Sequence, residues 1–233
     1  MQDDSNPENQ LIENIDPADS AEYIKNYLKT KQKELSELPA DADEAERALL
    51  NLDIAEAMVG VGQEVEAWNV AREAFDYFLT NKDWQNAVKC CDVLYQTSQP
   101  ASLAALGQGV WLAVTYPIDP QLTVNMLSYI IDETPGKADG AAVAAITAHY
   151  IADMRAEGKQ HESLIFLTKE MVANVAKAHS GVDDQESMSV WMEKLQLLDP
   201  DIFLPRLSLV IGAIVSAEQW WFDRDALRDA IGG

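Results

Sequence analysis

Apolar residues recur along this chain at the three-and-four spacing of an α-helix, in blocks of roughly 10–22 residues separated by short polar breaks. The first block, 17–38, sets Tyr23, Ile24, Tyr27 and Leu28 on one stripe. The second starts near Asp43 and runs through Ala48, Leu49, Leu52, Ala55, Met58 and Val59 before Gly60 and Gly62 stop it. The third, 64–79, carries Trp68, Ala71, Phe75 and Phe78. After the turn Asn81-Lys82-Asp83 the fourth, 84–95, carries Ala87, Val88, Cys91, Leu94 and Tyr95. Later helices start at Ser98-Gln99-Pro100 and at Asp119-Pro120. They continue over about 139–156, 160–178 and 184–198, from near Pro205, and over 224–231 behind an Asp223 cap.

The starts have a chemical signature. Ile15-Asp16-Pro17, Ile118-Asp119-Pro120 and Leu198-Asp199-Pro200 each place a carboxylate where it can accept the orphan amide hydrogens of a first helical turn. Each follows it with a proline, whose missing N–H is harmless there. Breaks of two to six residues turn each helix back along its predecessor. The pattern predicts an all-α protein, an antiparallel array of helical hairpins. The helix around 140–152 is small on nearly every face, so it must be crossed closely from several sides. The run 207–217, broken only by Ser208, Gly212 and Ser216, is apolar on nearly all sides and predicts cover from the segment that follows it.

Helix starts between 43 and 160 recur about every 17–21 residues, so two helices make a unit of the length found in helical-hairpin solenoids. The stretch 68–100 resembles a tetratricopeptide repeat. Trp84 ends the turn, Ala87 is the small residue opening the second helix, Cys91 and Leu94 hold the next buried places, and Pro100 closes the unit. Phe75 departs from that pattern, which wants a small residue there. An overlapping register through Ala55, Gly62, Ala67, Ala71 and Ala74 fits as well. The resemblance covers about 44–135. It implies an α-α superhelix with a concave groove that binds peptides or subunits, does no chemistry and needs no cofactor. In the first register the groove-facing positions of the third helix are Asn69, Arg72, Glu73 and Asp76. The organisation expected is a disordered acidic N-terminus over 1–15, repeat-like hairpins over 16–135, and a C-terminal helical part, 136–233, packed on the same array.

Charge then narrows the partner. Against 17 Lys and Arg stand 39 Asp and Glu, a formal −22 at pH 7. Such a surface repels nucleic-acid phosphates and anionic membranes, and favours a basic or mixed-charge protein. Acidity in the service of solubility is the plainer alternative. The adjacent Cys90 and Cys91 form no secreted disulfide framework, and the polar, acidic N-terminus is the reverse of a signal peptide. A cytoplasmic protein is expected.

Catalytic chemistry has little to stand on. His149, His161 and His179 lack the spacing of a helical metal site and have no neighbouring cysteine, so no metal is expected. Gly107-Gln108-Gly109 lies inside a helical pattern with no strand before it, unlike a phosphate loop. Cys90 is a reactive thiol only if exposed. The unusual feature is Trp220-Trp221-Phe222, since three consecutive aromatics cannot all face one side of a helix. With Leu227 behind them they form either a cap on the array or a docking tail for another chain. The expected function is an adaptor, scaffold or assembly chaperone. The alternatives are an acidic protein that masks a basic nucleic-acid-binding surface, and an all-α enzyme with an unrecognised site.

Overall fold

The computed structural model describes residues 17–232; the expected disordered segment 1–15 and the Asp16 cap lie outside the described residues. Within them the chain forms eleven α-helices and one short 3₁₀ turn, with no strand. They are α1 (Pro17–Glu37), α2 (Glu44–Gly60), α3 (Glu64–Thr80), α4 (Trp84–Gln96), α5 (Ser102–Thr115) and α6 (Pro120–Glu133), then α7 (Asp139–Arg155), α8 (Gly158–Ser180), α9 (Gln185–Lys194), α10 (Pro200–Ile214) and α11 (Arg224–Gly232). Among these residues no helix is long and apolar enough to cross a membrane.

Local chemistry explains the boundaries. Asp119 caps α6 by accepting the Leu122 amide at 3.0 Å, with Pro120 in the first turn. The breaks after α2 and α3 share one device. Gly62 and Lys82 adopt the left-handed conformation, and the amides of Gln63 and Asp83 reach back to the carbonyls of Met58 and Phe78, each at 2.9 Å. Helix α5 begins two residues after Pro100. Ser98 is left-handed, and the hydroxyls of Thr97 and Ser102 both donate to the Leu94 carbonyl, which draws the turn tight before the helix can start.

Two expected boundaries are corrected. Helix α9 stops at Lys194 instead of 198, because Gln196 turns left-handed and the Leu197 amide bonds back to Met192. That frees Asp199 to accept the Asp201 amide at 2.9 Å, and α10 starts at Pro200 rather than near Pro205. Pro205 sits inside α10 on an exposed side, at the loss of the one bond it would have made to Asp201.

Each helix from α1 to α8 packs against its sequence neighbours, an antiparallel succession compatible with a helical repeat. Helices α2 and α4 also touch, as do α6 and α8, while α10 returns to lie on α5 and α7. The C-terminal part therefore covers the side of the array made by α3, α5 and α7. One core runs through the array and takes in Ala71, Phe75, Ala87, Cys91, Leu94 and the Ala-rich α7, which is buried on nearly every face as its composition predicts. A small separate cluster, Leu28 with Ile54 and Ala57, holds α1 on α2. Leu49 is 45% exposed and lies outside this cluster, a departure from the expected stripe, because it borders a cleft between α1 and α2. The expected cover for 207–217 differs too. Leu207, Ile211 and Val215 are buried on the array itself, and the outer side of α10 stays open, with Leu209 75% exposed.

Candidate functional site

The aromatic triplet and part of the expected groove set come together. Along α3, Trp68, Arg72 and Phe75 fall four and three residues apart and so share a face. Gln108 and Trp111 do the same on α5. After α10 a Ser216-capped turn redirects the chain, with the Gln219 side chain holding the Ser216 amide at 3.0 Å. Residues 220–222 then cross from α5 to α3, and the Asp223 carboxylate starts α11 by accepting the amides of Asp225 and Ala226.

Trp221 sits edge-on to Trp68 and Phe75, with ring centroids 6.1 and 5.3 Å apart, and the Arg72 guanidinium lies 4.2 Å from its ring centroid. Asp76 pairs with Arg72 and orients it. Phe222 lies 5.5 Å from Trp111, and Trp220 is covered by Arg224 at 4.1 Å. Gln108 joins the two parts through the backbone. Its side-chain oxygen accepts the Trp221 amide at 2.8 Å, and its nitrogen donates to the Gln219 carbonyl at 3.4 Å and to Ala104 within α5 at 3.2 Å. Gln108 is fully buried, so these bonds satisfy an amide that would be expensive to leave alone.

A second feature flanks the 38–43 connection. Between α1 and α2 lies a cleft of about 710 Å³ with an apolar floor of Leu38, Leu49 and Leu50. Its rim carries Glu34, Glu37, Asp43, Glu46 and Asp53 against a single cation, Lys31. Lys31 reaches Glu34 at 3.1 Å and Asp53 at 3.3 Å, and those two carboxylates hold its ammonium above the usual lysine range. Across the same connection a cleft of about 560 Å³ between α2 and α3 is lined by Asp41, Glu44 and Glu73 beside Arg47.

No family model, curated protein or solved structure matches the chain.

Of the four expected groove residues, Arg72 and Asp76 join the aromatic site, Glu73 faces the α2–α3 cleft, and Asn69 is exposed. Leu227 is half-buried and packs against the main core. Trp68 and Phe75 lie on the apolar stripe expected of the third helix. Gln108 was missed, although a lone amide in the otherwise apolar α5 is the visible signal of a backbone-reading side chain. The thiols of Cys90 and Cys91 are buried and pushed well up by burial, which removes the nucleophile reading of Cys90. His149 shares a 2.9 Å hydrogen bond with Thr168, His161 reaches Asp153 at 3.0 Å, and His179 accepts the Trp191 indole N–H at 3.2 Å. Among the described residues no three metal-ligating side chains converge.

Proposed function

We propose that the chain is a non-catalytic interaction module, a tetratricopeptide-repeat-like helical array that acts as an adaptor, scaffold or assembly chaperone for a protein with a basic or mixed-charge surface. The observation that carries the reading is the α1–α2 cleft, where five carboxylates and one lysine surround Leu38, Leu49 and Leu50, of which Leu49 is 45% exposed. Such a cleft suits a cationic amphipathic segment, which would bury its apolar side on Leu49 and meet the rim with its charges. The net charge of −22 extends the same preference over the whole surface. The buried, free Cys90 and Cys91 suit the reducing cytoplasm.

The test is association kinetics with a short fluorescent lysine-leucine amphipathic peptide, followed by stopped flow. Raising ionic strength from about 0.05 to about 0.5 M shortens the screening length from roughly 14 to roughly 4 Å, and the on-rate should fall several-fold. An on-rate that stays flat with salt overturns the electrostatic part of the proposal.

A further inference from the structure

The C-terminal segment lies on the array as a ligand lies in a site. We propose that the face shared by α3 and α5 is a recognition site for a non-helical peptide segment bearing two adjacent aromatic residues. In this structure the chain's own 216–223 segment occupies it, and a partner segment of the same chemistry takes its place when the tail lifts away.

Three observations carry this, none of which involves the carboxylate clefts. The first is backbone reading. The Gln108 amide engages the carbonyl of Gln219 and the N–H of Trp221, main-chain groups that carry no side-chain identity. A buried glutamine aimed at a peptide backbone supplies register. The second is a pair of aromatic seats. One is formed by Trp68, Phe75 and Arg72 and takes Trp221. The other, beside Trp111 and Phe75, takes Phe222. Rigid aromatic seats under an arginine are the composition of binding hot spots. The third is that the occupant is not woven into the helix-on-helix array. Residues 216–223 contain one short 3₁₀ turn, all three aromatics stay half-buried, and α11 leaves Ala226, Asp229 and Ala230 exposed. Helix α10 is anchored separately, with Ile211 and Val215 packed over Gly107 on α5, so the segment can lift from residue 216 onward without unseating α10.

A peripheral segment with little regular structure opens locally at less free energy than the whole fold. While tethered, the segment competes at an effective concentration on the order of millimolar, so it masks the site from weaker ligands.

The experiment keeps the chain at full length. A fluorescein-labelled peptide of residues 216–232 is titrated against wild type and against Trp221→Ala/Phe222→Ala, and anisotropy is read. The double variant, its own segment weakened, should bind the peptide saturably and at least about tenfold more tightly than wild type. Adding Gln108→Leu should abolish that binding. A double variant that keeps its helix content and cooperative melt yet does not bind overturns the proposal. If the double variant does not fold, hydrogen exchange on wild type decides. Exchange of the Trp221 amide at least about tenfold faster than the α5 core amides supports a displaceable segment. Exchange of both at the same rate, through global unfolding alone, makes the segment part of the core and overturns it.

Discussion

Replacing Gly109 by alanine tests how closely α4, α5 and α6 cross. Gly109 is buried in the middle of α5, between Cys91 on α4 and Met126 on α6. A methyl group there would lie 2.6 Å from Cys91 Cβ, where ordinary contact is 3.4–4 Å. The Met126 methyl can swing aside, but Cys91 Cβ is fixed to the backbone of α4. The two helices must therefore part by about 1 Å across a core that tolerates little added volume. Alanine returns up to about 1 kcal/mol of helix propensity over glycine. Overpacking of this kind costs about 1–3 kcal/mol. Because the obstructing atom is rigid, the steric loss should win, leaving a net destabilisation of about 1–2 kcal/mol. For a chain of this length that is a melting temperature lower by about 2–8 °C. Urea unfolding should show a lower midpoint with an unchanged slope, as the same surface is exposed on unfolding. The control is Gly212→Ala on the open side of α10, where the added methyl meets nothing within 4 Å. There the propensity gain stands alone and should stabilise by about 0.5–1 kcal/mol. If Gly109→Ala were as stable as wild type, the close crossing at the centre of the array would be wrong.

Two further outcomes follow from buried polar groups. Arg155 on α7 donates to the last carbonyls of α5, Ala113 at 2.7 Å and Val114 at 2.8 Å, so Arg155→Met should cost about 1–3 kcal/mol in urea denaturation by leaving both without a donor. His149 is held below the usual imidazole range, by burial first and then by the charge on Lys169. The Thr168 hydroxyl already donates to Leu164, so the neutral ring must donate its Nδ1 hydrogen to Thr168. The folded state thus binds this proton less readily than the unfolded chain does, and stability falls as pH drops through about 6.5 towards the lower folded value. His149→Gln should flatten the fall in urea midpoint between about pH 7.5 and about pH 5.5, and a fall of unchanged slope would assign it to other groups.

Most of the fold was legible because its signals are local. Asp119-Pro120 and Asp199-Pro200 start helices through their own carboxylates. Ala71, Ala87 and the alanines of α7 are fully or nearly fully buried, as their spacing predicts. The start of α10 was misplaced because Pro205 also looks like a first-turn proline. Only the left-handed Gln196 shows that α9 has already ended. Leu49 lies on an apolar stripe by periodicity, yet whether a stripe is covered depends on where the neighbouring helix crosses, and Leu49 borders the cleft between α1 and α2. The site was legible in halves. Arg72 and the aromatic triplet each stood out, but their meeting is a contact between residues about 150 positions apart, and periodicity carries no information at that range. The Gln108–Trp221 bond, spanning 113 positions, is hidden in the same way.

The central claim, that a basic partner docks at the carboxylate-ringed cleft, is tested most directly by moving the charge. The lysine-leucine peptide is titrated by calorimetry against wild type, against Glu34→Gln/Glu46→Gln/Leu49→Ser in the α1–α2 cleft, and against Glu162→Gln/Glu170→Gln on the exposed side of α8. Both variants remove two negative charges, so a non-specific attraction to an acidic surface would weaken to a similar extent in the two. The account predicts that the cleft variant loses at least about tenfold in affinity while the α8 variant stays within about twofold of wild type. Equal losses in both variants, or none in either, would contradict it.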